Sequence, residues 1–106
     1  MRQKSILNPK IGHGAAPIPL ACRVGPIVAT SGIMGRDLDT GEMPPDAETQ
    51  AKNCFRNLAF VLSEAGLDVG DVVKITAYVK EDAMRDAINA PWLEHYPNPA
   101  KRPARH

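Results

Sequence analysis

Between Asp46 and Gly66 the apolar residues Ala47, Ala51, Cys54, Phe55, Leu58, Val61, Leu62 and Ala65 recur at the spacing of one helix face. Asp46 is placed as an N-cap and Gly66 as the stop. Lys52, Arg56, Asn57 and Glu64 fall mostly outside the stripe, so one face is expected to pack on a sheet. The period changes to two in Val72–Lys80, where Val73, Ile75, Ala77 and Val79 alternate with Val72, Lys74, Thr76 and Tyr78. This predicts a strand whose first set faces the helix. Upstream, Leu20–Val24 and Ile27–Ser31 are β-prone runs divided by Gly25-Pro26, which predicts a hairpin. Residues 1–19, rich in Pro and Gly, read as an irregular lead-in, and Gly32–Pro45 as a loop. A second helix is expected from Asp82 as cap through Met84, Ala87 and Ile88, interrupted at Pro91, with Trp92, Leu93 and Tyr96 on a new turn. Pro97, Pro99 and Pro103 then keep the tail extended. The order is α+β, with both helices expected on one face of a single sheet and the opposite face needing cover from another subunit.

The length of 106 residues bounds this to one domain, small enough that association would help it hide apolar surface. Thirteen basic and twelve acidic side chains leave a formal charge of +1, which gives no ground for binding nucleic acid or an anionic membrane. No apolar stretch near the N-terminus suits a signal peptide or a spanning helix, so a cytoplasmic location is the expectation. Cys22 and Cys54 are too far apart for a zinc motif and too few for a disulfide scaffold, and both read as reduced.

Several local patterns resolve into ordinary turns. Asp39-Thr40-Gly41 matches the aspartic-protease tripeptide, but Arg36, Asp37 and Glu42 surround it with charge where a dry dyad needs apolar strand. Asp37, Asp39 and Glu48 match three positions of a calcium loop, but Glu42 stands where glycine is required. Ser31-Gly32 lacks the glycine two residues upstream that a nucleophile elbow needs. His13, His95 and His106 have no ligand-spaced partners, so no metal site is expected. Gly12-His13-Gly14 is too short for a phosphate loop and reads as flexible lead-in. Lys101, Arg102 and Arg105 form a basic cluster, in which Pro103 holds the chain extended beside Arg105. A guanidinium there is suited to grip a carboxylate through two parallel hydrogen bonds.

Taken in order, Arg23-Val24-Gly25, Thr30-Ser31-Gly32, Thr40-Gly41-Glu42, Gln50-Ala51, Asn57-Leu58, Ala65-Gly66-Leu67, Asp71-Val72-Val73-Lys74, Asn89 and Pro103-Ala104-Arg105 resemble the Rid family, also called YjgF-like or endoribonuclease L-PSP proteins. The resemblance runs through nearly the whole chain. It implies a chorismate-mutase-like fold assembled as a homotrimer with sites between subunits. It also implies hydrolysis of 2-imino acids and their enamine tautomers to 2-keto acids and ammonia, without metal or cofactor. In such proteins the arginine matching Arg105 binds the substrate carboxylate, assisted by backbone near Ser31 and Gly32, and Asn89 matches a position near the pocket.

Departures from the family pattern bear on catalysis. Ile18 takes the place of a tyrosine, Pro19 and Leu20 those of a serine and a glutamine, and Ile33 that of a frequent glutamine, so a more apolar pocket is expected. The resemblance further implies two strands after Arg105, the last carrying a water-placing glutamate. The catalytic acid is therefore not assigned to any residue here, and residues 1–106 are expected to form one Rid-like domain incomplete at its C-terminal end. Two functional classes follow: a small-carboxylate-binding imino-acid deaminase, or a non-catalytic ligand-binding or regulatory trimer. A third, endoribonuclease or translation inhibitor, rests on family labels and gains nothing from composition.

Overall fold

Asp46 accepts a hydrogen bond from the Thr49 amide at 2.9 Å and so starts helix α1, Ala47–Glu64. At the other end Gly66, at φ +74°, lets the amides of Gly66 and Leu67 turn back onto the carbonyls of Ser63 and Leu62. Both ends therefore stop where the side chains at Asp46 and Gly66 predict. The computed structural model describes all residues from Met1 to His106.

Strands β1 (Lys4–Ile6), β2 (Ala21–Val24) and β3 (Ile27–Thr30) form an antiparallel sheet in that order. The β2–β3 hairpin turns at Gly25, whose φ of +57° precedes a proline that needs no ladder partner at the tip. Strand β1 corrects the reading of residues 1–19 as wholly irregular. Lys4–Ile6 holds no Pro or Gly, and pairing Ile6 with Ala21 buries both on the helix side.

A second sheet is parallel and short, with β4 (Lys74–Ile75) beside β5 (Ala104–Arg105). The expected single sheet is thus two sheets, and the expected strand over Val72–Lys80 is regular only at Lys74–Ile75. Ladder hydrogen bonds run from the Ala104 amide to Val73, from the His106 amide to Ile75 and from the Ala77 amide to His106, so pairing follows the stretch opposite residues 104–106. Without a longer partner the alternation is not enforced: Ile75 packs inward, whereas Val73 is 86% exposed.

Helix α2 spans Arg85–His95 and is entered through a 3-10 turn at Asp82–Met84. Asp82 makes no cap hydrogen bond, and Pro91 lies within the helix instead of breaking it. The cost of the missing donor is offset because continuing the helix seats Trp92 and Tyr96 on Phe55 of α1, with ring centroids 6.5 Å apart for Phe55–Trp92 and 5.1 Å for Trp92–Tyr96. The Tyr96 hydroxyl is satisfied by the Val69 carbonyl at 2.8 Å.

Helix α1 carries both halves of the core. Toward its C-terminus Val61 and Ala65 join Ile6, Ile11, Leu20 and Ala21 under the first sheet. Toward its middle Phe55 joins Trp92 and Tyr96, with Ile75 and Ile88 packed against them. Arg23 ties the two ends of this layer, donating to the carbonyls of Gly25 and Ala65.

A second side of α1 holds the loop of residues 32–45. Asn57, expected on a polar face, is fully buried, and its Nδ2 donates to the carbonyls of Met34 at 2.9 Å and Arg36 at 2.8 Å. Asn53 donates to Gly35 at 3.1 Å, and Gln50 to Pro44 at 2.7 Å. Gly35 lies so close to the helix that an added Cβ would fall 2.4 Å from the Gln50 carbonyl oxygen. The polar residues of α1 thus fasten the segment that follows Ser31 and Gly32.

Candidate functional site

Parallel pairing sets Arg105 beside Ile75, on the side of the second sheet that faces the helices. Its guanidinium donates to Asn89 Oδ1 at 2.8 Å and lies over Trp92, with Cζ 5.1 Å from the ring centroid. Trp92 is itself fixed by Phe55 and Tyr96, so a rigid aromatic cluster supports the cation from beneath. Arg105 forms no salt bridge and remains exposed, leaving donors free for an anionic ligand. Arg105 and Asn89, each a candidate from the sequence, are therefore in direct contact.

Ser31, Gly32 and Ile33 leave β3 and enter the fastened loop. The Ser31 amide is used by the Leu20 carbonyl at 2.9 Å, while the Ser31 hydroxyl and the Gly32 amide make no hydrogen bond within the chain. Ile33 is half-buried, and its carbonyl accepts from Cys54 Sγ at 3.5 Å. Burial pushes the Cys54 thiol up from its ordinary range, so it stays protonated and is a poor nucleophile. Both cysteines are free.

Ile18, 48% exposed, lines a cleft of about 530 Å³ together with Leu7, Leu20 and His13. His13 is the residue that sequence patterns passed over as part of a flexible lead-in. It is half-buried, its Nε2 is buried without a hydrogen-bond partner, and its ring faces Gly32, where an added Cβ would lie 3.9 Å from His13 Cε1. Its only signal was a histidine between two glycines, which spacing rules for metals cannot read. The structure thus brings Gly32 and His13 together, with Ile18 in the same cleft as His13. No hydrogen bond within the chain joins that group to Arg105 and Asn89.

The Asp39-Thr40-Gly41 segment is a hydrated turn, as its flanking charges indicate. Asp37 Oδ1 accepts from the amides of Thr40 at 3.0 Å and Asp39 at 2.8 Å, which hold its carboxyl below the ordinary 3.8. Asp39 pairs with Arg56 at 3.1 Å on the surface.

Comparison with known proteins bears on the family and the fold. The sequence model of the Endoribonuclease L-PSP family matches residues 15–106. A RutC family protein of Haemophilus influenzae is 33% identical over 92 residues, 87% of this chain and 71% of its own length. The 2-iminobutanoate/2-iminopropanoate deaminase of Escherichia coli K12 is 33% identical over 78 residues, 74% of this chain. That match spans 61% of the deaminase. Among solved structures, the yjgF gene product of E. coli superposes with a TM-score of 0.82 at 32% identity, covering 97% of this chain and 82% of that one. RidA from an Antarctic Psychrobacter gives 0.84 at 26% identity, covering 96% and 81%. With a family model that spans residues 15–106 and relatives 33% identical over most of its length, the chain belongs to the Rid/YjgF family, the endoribonuclease L-PSP proteins.

Proposed function

We propose that this protein binds small carboxylates through Arg105 and hydrolyses 2-imino acids, with their enamine tautomers, to 2-keto acids and ammonia. The observation that carries the proposal is the Arg105 guanidinium, held by Asn89 and Trp92 with its other donors free. Two parallel N–H donors match a carboxylate in geometry and charge. Support for the imine as substrate comes from the E. coli relative named for 2-iminobutanoate and 2-iminopropanoate.

The reaction asks little of the protein. An imine carbon is already electrophilic, so orientation and a placed water supply most of what is needed. Water adds to the carbon, a proton moves to nitrogen, and the resulting carbinolamine expels ammonia as the carbonyl forms. Arg105 fixes the carboxylate end, and the Ser31 hydroxyl and Gly32 amide are free to meet polar groups near the reacting carbon. Ile18 and Ile33 would surround the substrate side chain.

In this reading the two groups of residues meet between subunits of a homotrimer. Supporting this, Cys22, Val24, Ile27 and Ala29 share the sheet face opposite the helices by register, and Ile27 is 69% exposed. A second reading, ligand binding without turnover, is favoured by the apolar character that Ile18 gives its cleft. The endoribonuclease label gains no support from a formal charge of +1.

Generating 2-iminopropionate or 2-iminobutyrate enzymatically and following loss of the imine tests the proposal. Faster decay with the protein than without it is expected. Decay at the uncatalysed rate, with saturable binding of 2-ketobutyrate, would replace the deaminase reading with the binding one. Light scattering at micromolar concentration should give a trimer, and a monomer would refute the intersubunit site.

A further inference from the structure

The reacting carbon of the proposed substrate is assigned to Gly32, and the His13 ring stands directly beside that glycine. An added Cβ at Gly32 would come 3.9 Å from His13 Cε1, which is ordinary contact distance. The cleft of about 530 Å³ that His13 lines is lined also by Leu7 and by the run Ala16-Pro17-Ile18-Pro19-Leu20. A substrate seated at Gly32 therefore has this space next to its reacting end.

The run from Ala16 to Leu20 is poor in hydrogen-bond donors. Pro17 and Pro19 have no N–H, and the three remaining amides are already used. Ala16 donates to the His13 carbonyl at 3.2 Å, Ile18 to the Ala16 carbonyl at 2.8 Å and Leu20 to the Ile6 carbonyl at 2.9 Å. What this wall presents is apolar, with Leu7 69% and Ile18 48% exposed and so available for contact. The polar side chains of the lining are Ser5, Asn8 and His13, with no carboxylate, lysine or arginine among the lining residues. Asn8 Oδ1 is occupied by the Lys10 amide at 2.9 Å. The amides of residues 12–14 make no hydrogen bond within the chain, but they belong to the His13 end, beside Gly32, where the polar part of a substrate sits.

We infer that this cleft selects 2-imino acids with a bulky, uncharged apolar side chain, of the kind leucine gives, over small or acidic ones. The inference rests on the imino-acid reading above and names the substrate class of the same site. A methyl or ethyl group leaves most of the cleft to water, whereas an isobutyl group covers Leu7 and Ile18. A side-chain carboxylate would lose its hydration against a wall with no donor to replace it. The prolines hold the wall in one shape, so little ordering is needed when the side chain enters.

Separate kinetic and binding arms distinguish failure of this inference from failure of the hydrolysis reading. Imines are generated by an amino-acid oxidase from leucine, alanine and glutamate, and kcat/KM of the full chain is compared for the three. The leucine-derived imine is expected to lead the alanine-derived one by about tenfold or more, since one methylene in an apolar pocket is worth about 10- to 200-fold, and the glutamate-derived imine should be the poorest. Ile18→Ala and, at a second position, Leu7→Ser should each narrow the leucine-to-alanine ratio, a change of selectivity that partial unfolding would not produce. An unaltered ratio in both variants, or a preference for the alanine- or glutamate-derived imine, would overturn the assignment of the cleft while imine hydrolysis stands. If no imine is hydrolysed, the hydrolysis reading fails and calorimetry with the corresponding 2-keto acids decides the cleft. Tighter binding of 4-methyl-2-oxopentanoate than of pyruvate or 2-oxoglutarate, weakened in Ile18→Ala, would then support it, and equal or absent binding would overturn it.

Discussion

Asn57→Ala is the sharpest test of how helix α1 positions the loop that follows Ser31 and Gly32. The side chain has no exposed surface, and its Nδ2 serves the carbonyls of both Met34 and Arg36. Truncation leaves both acceptors without their donor, at about 1–3 kcal/mol each when buried. Part of this is returned, since Asn57 Oδ1 is itself buried without a partner and is deleted with the amide. A net loss of about 2–4 kcal/mol follows, a large fraction of the ~5–15 kcal/mol stability of a typical domain. For a chain of this size that is a fall in Tm of roughly 10–20 °C. Asn53→Ala is the internal control, because Asn53 donates to the single carbonyl of Gly35. It should cost about half as much. Urea unfolding of both variants at one protein concentration measures the difference, and hydrogen exchange at residues 33–37 should accelerate selectively in Asn57→Ala. If Asn57→Ala costs no more than Asn53→Ala, the double anchor is not what holds the loop.

Other outcomes follow from the same geometry. Gly35→Ala should destabilise by about 1–3 kcal/mol in urea unfolding, since its Cβ would meet the Gln50 carbonyl and the loop would have to lift from the helix. Trp92→Ala should cost about 3–5 kcal/mol and weaken carboxylate binding as well, because the ring both fills the second core cluster and supports Arg105. His13→Ala should alter KM more than kcat if the ring lines the substrate cleft beside Gly32, and unchanged kinetics would remove His13 from the site. Backbone and Thr49 hydrogen bonds lower the pKa of Asp37 and Asp46 from the ordinary 3.8. Their contribution to stability is therefore complete above that value and lost as pH falls through the lowered ones. Replacing both with Asn should flatten the acid limb of a stability–pH curve, and an unchanged limb would show that the Asp37 turn and the Asp46 cap do not set it.

The sequence revealed those features that depend on neighbours along the chain. The α1 stripe, its Asp46 cap, the Gly66 stop and the Gly25-Pro26 hairpin all rest on local periodicity or on a backbone angle that one residue type favours. What it hid depends on tertiary partners. β1 exists because Ile6 pairs with Ala21, the 72–80 strand shortens to its paired stretch, and Pro91 is kept in a helix by the aromatic cluster of Phe55, Trp92 and Tyr96. Asn57 has the polarity of a surface residue, and only the loop folded over it makes it core. In the candidate site, Arg105 and Asn89 came from the family resemblance, and their contact from the structure. His13 came from the structure alone, since a buried nitrogen without a partner leaves no trace in composition or spacing.

The central claim, that Arg105 grips a substrate carboxylate, is tested most directly by kcat/KM for enzymatically generated 2-iminobutyrate with the wild-type chain, Arg105→Ala and Arg105→Lys. Loss of two charge-assisted hydrogen bonds predicts a fall of roughly 100- to 1000-fold in Arg105→Ala, with Arg105→Lys restoring only part because an ammonium cannot present the parallel fork. Imine hydrolysis by Arg105→Ala at the wild-type rate would contradict it.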